Sequence, residues 1–329
     1  MCAGVSLPFS TSSGDLIADR RFNLAAALAA DGDHRGACEV LEQALEIVPG
    51  WAAGWLMLGD WRQRAGAPAA AVAAFVRAAA LDPAGDLGAD LRIAALEAAE
   101  PPEAMPAGYV RTLFDDYAPR FDRELVDRLG YSAPERLAAA LDALGDRQFA
   151  SALDLGCGTG LMGRAIQSRV GALTGFDLSE GMLKRAAALG VYDRLAAGDV
   201  VDLMDAEPAN SHDLVLAADL MPYIGAPAHL FQAVSRVLAP GGAFVFSAER
   251  LDGEGFFLGE TLRYAHAPAL LTAATEAVGL TMLTLDPASL RRERGVPVPG
   301  LVGLTVRPAE IVPLEPRPGG SGGRLPRAA

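Results

Sequence analysis

A chain of 329 residues, 51% hydrophobic and 21% charged, has room for about two domains with a substantial core. With 28 basic and 41 acidic side chains its net charge is −13, a surface that repels phosphate backbones and anionic lipid, so neither nucleic acid nor membrane is an expected partner. The separated cysteines Cys2, Cys38 and Cys157 draw no disulfide framework, and His34, His212, His229 and His266 never fall at metal-ligand spacing, so no metal centre is expected.

Residues 1–20 lack periodicity and read as a loose leader. No basic-then-apolar segment opens the chain and no apolar run approaches membrane length, so a cytoplasmic protein is expected. From Arg21 to Asp82 the text repeats: Leu24, Ala25, Ala37, Leu41, Ala44 and Pro49 return as Leu58, Gly59, Ala71, Phe75, Ala78 and Pro83. That period, with small residues where antiparallel helices touch, is the tetratricopeptide pattern, and Leu87–Ala99 supplies a capping helix; the helical domain is set at 21–100. Pro101, Pro102 and Pro106 mark a linker, followed by an aromatic helix over Tyr109–Leu129 and another over Ala133–Leu144, a capping region set at 101–146. Then short apolar runs alternate with helices: Ala152–Leu155, Leu173–Phe176, Leu195–Ala197, Leu214–Ala218, Ala243–Phe246, Thr281–Leu285 and Val302–Val306. Such alternation predicts a parallel sheet covered on both faces, an α/β domain set at 147–307, and the Pro/Gly-rich residues 308–329 read as a disordered tail.

The chemistry collects at the strand ends. The first strand runs into Asp154-Leu155-Gly156-Cys157-Gly158-Thr159-Gly160, a loop whose glycines let a ligand approach the backbone and expose amides at a helix start. Gly158, Gly160 and Gly163 also satisfy dinucleotide spacing, which keeps a nicotinamide enzyme open at this point. The second strand ends at Asp177, a carboxylate able to accept from both hydroxyls of a ribose. The third ends at Asp199, placed to accept from the exocyclic amine of an adenine; the fourth delivers Asp219. Val237-Leu238-Ala239-Pro240-Gly241-Gly242 reads as a helix stop and tight turn before the fifth strand.

In order and spacing this series resembles class I S-adenosylmethionine-dependent methyltransferases. The repeats, Tyr109–Asp122 and Arg263-Tyr264-Ala265-His266 extend the resemblance to predicted methyltransferases carrying N-terminal tetratricopeptide repeats. The resemblance implies a Rossmann-like seven-stranded sheet, its last two strands a reversed edge hairpin, with an all-α repeat domain before it. S-adenosyl-L-methionine is the implied cofactor: a phosphate-free cation that needs carboxylates more than lysines, and Lys184 is the chain's only lysine. Asp154, Gly156, Gly158 and Gly160 would form its loop, Asp177 would take the ribose, Leu178 and Met182 would flank the adenine, Asp199 and Val200 would bound its edge, and Tyr117 on a covering helix would wall the methyl group. On the acceptor side Asp219, Met221, Pro222 and Tyr223 follow strand four; Asp219 serves acceptor or helix cap, His266 serves base or solvated cap, and Glu249 is a further base candidate. Cys157 reads as a packing residue. The function expected is methyl transfer to an O or N acceptor on a small molecule. Alternatives are methylation of a protein bound by the repeats, or a non-catalytic repeat-based interaction module.

Overall fold

The computed structural model describes residues 12–97, 100–124, 129–293 and 295–309. The helical domain comprises α1 (Leu16–Ala30), α2 (His34–Ile47), α3 (Ala52–Arg64), α4 (Pro68–Leu81) and α5 (Ala89–Glu97). Asp15 starts α1 by accepting from the amides of Ile17 and Ala18, and Asp33 starts α2 by accepting from Gly36. The helices pair α1 on α2 and α3 on α4 through small residues: Ala25, Ala37, Ala44, Ala71 and Ala78 are fully buried. A Cβ on Gly59 would lie 2.3 Å from the Phe75 ring, so only glycine lets α3 approach α4 this closely.

Two expectations for this domain change. The leader is shorter than expected, because ordered helix begins at Leu16; residues 1–11 lie outside the described residues. Leu24 is 56% exposed although its counterpart Leu58 is buried, since among the described residues no further helix stacks on that face of α1.

After α6 (Ala107–Tyr117) and α7 (Ala133–Ala140) the α/β domain builds one nine-stranded sheet. Its strands are β1 (Phe149–Leu155), β2 (Val170–Asp177), β3 (Arg194–Ala197), β4 (His212–Ala217), β5 (Leu238–Arg250), β6 (Phe256–Leu258), β7 (Tyr264–His266), β8 (Thr281–Glu293) and β9 (Val296–Val306). Strands β3, β2, β1, β4 and β5 lie side by side and parallel. β9 runs antiparallel to β5 and carries β8 at the edge, so the reversed hairpin is present. Helices α8 (Leu161–Ile166), α9 (Glu180–Leu189), α10 (Val200–Ala206), α11 (Ala228–Val237) and α12 (Pro268–Ala277) make the crossovers. The central strands are buried on both faces, one dominated by Phe231, Phe244 and Phe246 with ring centroids 5.1–5.4 Å apart, the other by Leu173, Leu214 and Val245.

The expected seven strands become nine because Phe256–Leu258 and Tyr264–His266 pair with each other and β7 extends the tip of β5. These three-residue strands are too short to leave a periodic signal. Pro240-Gly241-Gly242 is not a turn ahead of the fifth strand: β5 begins at Leu238 and carries these residues, with a register irregularity against β4 absorbing the proline and the left-handed Gly241. The supposed tail begins outside the sheet, and its residues from 310 onward lie outside the described residues.

Candidate active site

The carboxyl ends of the parallel strands open into a cavity of about 630 Å³, within the range of small-molecule sites. The turn after β1 forms its floor. Gly156, Gly158 and Gly160 all have left-handed φ values (65°, 54° and 92°). A Cβ at Gly158 would meet nothing within 4 Å, so the bare backbone there borders open space. Gly160 differs: its Cβ would strike Leu189 and Tyr192, and it does not line the cavity.

Asp177 at the end of β2 shapes this turn. Its Oδ2 accepts from the Gly158 amide and its Oδ1 from the Ser179 amide, both at 2.8 Å. Burial pushes its carboxyl up, and those two amides pull against the shift. Each oxygen retains a lone-pair direction for a ligand hydroxyl. Leu178, Asp199 and Val200 line the same end. Asp199 also caps α10, accepting from the amides of Val201 (2.8 Å) and Asp202 (3.4 Å).

Helix α6 roofs this end, and two aspartates tether the roof. Asp115 accepts from the Ser179 hydroxyl (2.5 Å) and the Gly181 amide (3.2 Å), while Asp122 accepts from the Thr159 hydroxyl (2.5 Å). The covering segment is thereby bound to both ligand-facing turns, a role the sequence reading missed because neither aspartate sits at a strand tip. Tyr117 lines the cavity in an edge-to-face chain with Phe121 and, beyond it, Phe114 and Tyr223. Burial raises its phenol to about 12.

The opposite end is polar and is organised by Arg263, which sequence reasoning did not single out as a functional residue. Its guanidinium donates through Nη2 to Asp219 (2.8 Å), through Nη1 to the Tyr223 hydroxyl (2.7 Å) and through Nε to Glu249 (2.5 Å). Asp219 adopts φ +58°, a strained conformation for a non-glycine residue, fixed by its amide donating to Ser247 Oγ at 2.9 Å. The helix-cap alternative for Asp219 does not hold, since the short helical turn that follows, Met221–Tyr223, has no side-chain cap. Burial would raise Glu249, but Arg263 and Arg291 together hold it below the usual carboxylate range, which makes it a poor base. Tyr223 is raised to about 12 chiefly by burial.

Besides Gly160, the expected site residues Asp154, Met182 and His266 stand outside the cavity wall, as do the acceptor-side candidates Met221, Pro222 and Glu249. Asp154 is fully buried beneath the glycine turn, where Oδ2 accepts from the Tyr192 hydroxyl (2.7 Å) and Oδ1 has no partner among the described residues. Burial raises its carboxyl to about 7. Tyr192 in turn fills the space that a side chain at Gly163 would need. Met182 is fully buried on the inward face of α9 and packs under the site instead of against it. His266 is also fully buried, neither base nor solvated cap: Nε2 bonds the carbonyls of Ile224 (2.7 Å) and Gly225 (3.1 Å), and burial lowers its pKa so the ring stays neutral. His229, assigned no role from the sequence, lines the cavity, and Cys157 lies in the wall as a buried thiol whose pKa burial drives well up.

Carboxylates at three strand ends, an open glycine turn and the absence of any lysine along the wall fit a cationic, phosphate-free nucleoside. Residues 153–246 match the family described as Methyltransferase domain, and residues 18–61 match that described as Tetratricopeptide repeat. The chain therefore carries a methyltransferase domain, and the family implies S-adenosylmethionine as its cofactor. The chain is 29% identical over 163 residues to the ubiquinone biosynthesis O-methyltransferase of Thiobacillus denitrificans, covering 47% of this chain and 68% of that one. It is 25% identical over 182 residues to the protein of the same name from Nitrosomonas europaea (53% and 75%). Among solved structures, the methyltransferase resembles the [4+2]-cyclase SpnF (TM-score 0.51, 18% identity, 64% of this chain and 98% of that one). It also resembles the Burkholderia thailandensis 1,6-didemethyltoxoflavin-N1-methyltransferase with bound S-adenosylhomocysteine (TM-score 0.50, 19% identity, 64% and 93%). At these identities the structural likeness speaks for the fold alone.

Proposed function

We propose that the protein methylates an oxygen or nitrogen of a small molecule that enters the cavity beside the cofactor. The observation that carries this reading is that one cavity joins the ligand-facing carboxylates Asp177 and Asp199 to the Arg263–Asp219–Tyr223 group, under a roof of aromatic rings. The named relatives, O-methyltransferases of ubiquinone biosynthesis, agree with a small acceptor.

When bound, S-adenosylmethionine supplies an electrophilic methyl group on sulfur. Asp177 would hold the ribose hydroxyls, Leu178 and Val200 would flank the adenine with Asp199 accepting from its amine, and the open backbone at Gly158 would receive the amino-acid portion. Tyr117 and Phe121 exclude water from the transfer path, and a neutral phenol at Tyr117 adds no competing nucleophile. Positioning and desolvation supply most of the acceleration in such a site. Asp219 and Tyr223 orient the acceptor.

A second reading, a protein acceptor presented by the repeats, draws on one contact: Leu91 and Ala94 of α5 pack in the same cluster as Met105, Tyr264 and Tyr223 beside the acceptor end. Titration calorimetry with S-adenosylhomocysteine tests the cofactor site; no binding would end the proposal. Incubation with methyl-labelled cofactor and cell extract then separates the readings. Label in the small-molecule fraction, separated from protein before any protease is added, supports the first; label in the protein fraction that only proteolysis makes small supports the second.

A further inference from the structure

The acceptor end holds more charge than orientation requires, and the charge is balanced in one direction. Arg263 and Arg291 are the cations lining the cavity among the described residues, with side chains 14% and 9% exposed. Both are taken. Arg263 binds Asp219 and Glu249, and Arg291 binds Glu249 at 2.7 Å and Glu293 at 3.4 Å. Three carboxylates thus face two guanidiniums, and among the described residues lining the cavity no unpaired arginine or lysine is left for an incoming anion. An acceptor bearing a carboxylate or phosphate would lose its hydration while meeting Asp219 and Glu293, an unfavourable exchange.

The same pairing dictates which hydrogen bonds remain. The Tyr223 oxygen accepts from Arg263, so its own proton is left to donate. Asp219 is bound to Arg263 through Oδ1, and Oδ2 carries no hydrogen bond among the described residues. One donor and one acceptor therefore lie side by side on a single guanidinium.

We propose that the methyl acceptor is an electrically neutral molecule whose nucleophile is a hydroxyl or amine, donating to Asp219 and accepting from Tyr223, and that Arg263 is the positioning residue that holds this pair. The proposal rests on the reading of this cavity as a methyl-acceptor site. As the bond from the nucleophile to the methyl carbon forms, the sulfur–methyl bond breaks with its electron pair left on sulfur, and the acceptor proton passes to Asp219 Oδ2.

The test uses the full chain loaded with S-adenosylhomocysteine, loading being confirmed by calorimetry, and probe pairs that differ in charge alone: 4-methylphenol against 4-hydroxybenzoate, and 4-methylaniline against 4-aminobenzoate. Binding is read by ligand-observed NMR. The neutral member of at least one pair should bind about tenfold or more tighter than its anion. Asp219→Asn, which frees part of the Arg263 charge, should shrink that ratio about fivefold or more with cofactor-product affinity unchanged. Tyr223→Phe keeps the ring, loses only the donated hydrogen bond, and should weaken the neutral probe about fivefold. A merely structural Arg263 cluster would lower the melting temperature of these variants without altering the ratio. The proposal is overturned if the anion binds as well as its neutral partner, if no probe binds the loaded protein, or if the ratio is insensitive to both substitutions. Failure to load S-adenosylhomocysteine overturns the underlying reading and this proposal with it.

Discussion

Asp177 and Asp154 stand at the tips of adjacent strands and have opposite duties. Asp177 spends one lone pair of each oxygen on a backbone amide and faces the cavity, so it shapes the turn and receives the ligand at once. Asp177→Ala removes two charge-assisted bonds, each about 1.5–3 kcal/mol, along with the ribose contacts; S-adenosylhomocysteine affinity measured by calorimetry should fall by at least about tenfold. Asp154 is sealed beneath the turn with one oxygen unpartnered. Its folded pKa is raised from 3.8 to about 7, so it favours the folded state fully below pH 3.8 and loses that contribution as pH rises through 7. The neutral histidines His212 and His266, whose pKa values burial lowers, act in the opposite sense as pH falls. The clean observable is therefore a difference: the melting temperature of the wild type minus that of Asp154→Asn should become more positive from pH 8 to pH 6. A difference that is flat with pH would show that Asp154 stays ionised when folded. The residue types at these tips were legible from strand spacing, but which way each carboxylate points was not, because that depends on Tyr192 filling the space behind the turn.

At the scale of elements, the acceptor site is made where separate segments are tied together. The linker before α6 is one such tie: the Met105 amide donates to the Tyr223 carbonyl (3.0 Å), the amides of Gly225 and Ala226 donate to the Glu103 carbonyl (2.7 and 2.8 Å), and the Tyr264 hydroxyl donates to the Pro102 carbonyl (2.6 Å). A stretch that reads as a proline-rich spacer is thus a bridge paired to the loop after β4, with Met105 in the cavity wall. The roof is the second tie. Asp115→Ala should release α6 from Ser179 and Gly181, speeding hydrogen exchange over 107–117 and weakening S-adenosylhomocysteine by about 1–2 kcal/mol. Unchanged exchange in that helix would show that aromatic packing alone holds it. A helix was legible from the amphipathic pattern expected over Tyr109–Leu129, but α6 ends at Tyr117, where Ala118–Arg120, with Pro119 in it, tightens into a shorter helical turn. Its tethers were not legible, because serine, threonine and aspartate on distant turns carry no signal of mutual contact until the chain is folded.

For the whole molecule, the repeats and the sheet share packing. Gly88 lies under the Tyr109 ring, and Leu91 and Ala94 share a cluster with Val110 and Tyr264. Gly59→Val, which drives a side chain into Phe75, should therefore lower the melting temperature of the sheet as well as the repeats, by at least about 1–3 kcal/mol of stability, in a single calorimetric transition. Two resolved transitions would mean that the repeats unfold alone. The sequence by itself determined the repeat period, the order of the seven expected strands and their helices, and the carboxylates at their tips, because burial periodicity and glycine turns are local properties of the chain. Only the tertiary structure decided that His266 and Met182 are sealed away, that Asp219 is held by an arginine 44 positions later, and that the linker walls the cavity. Partner choice among buried charges depends on distances in space, and a linear pattern of residue types does not encode them.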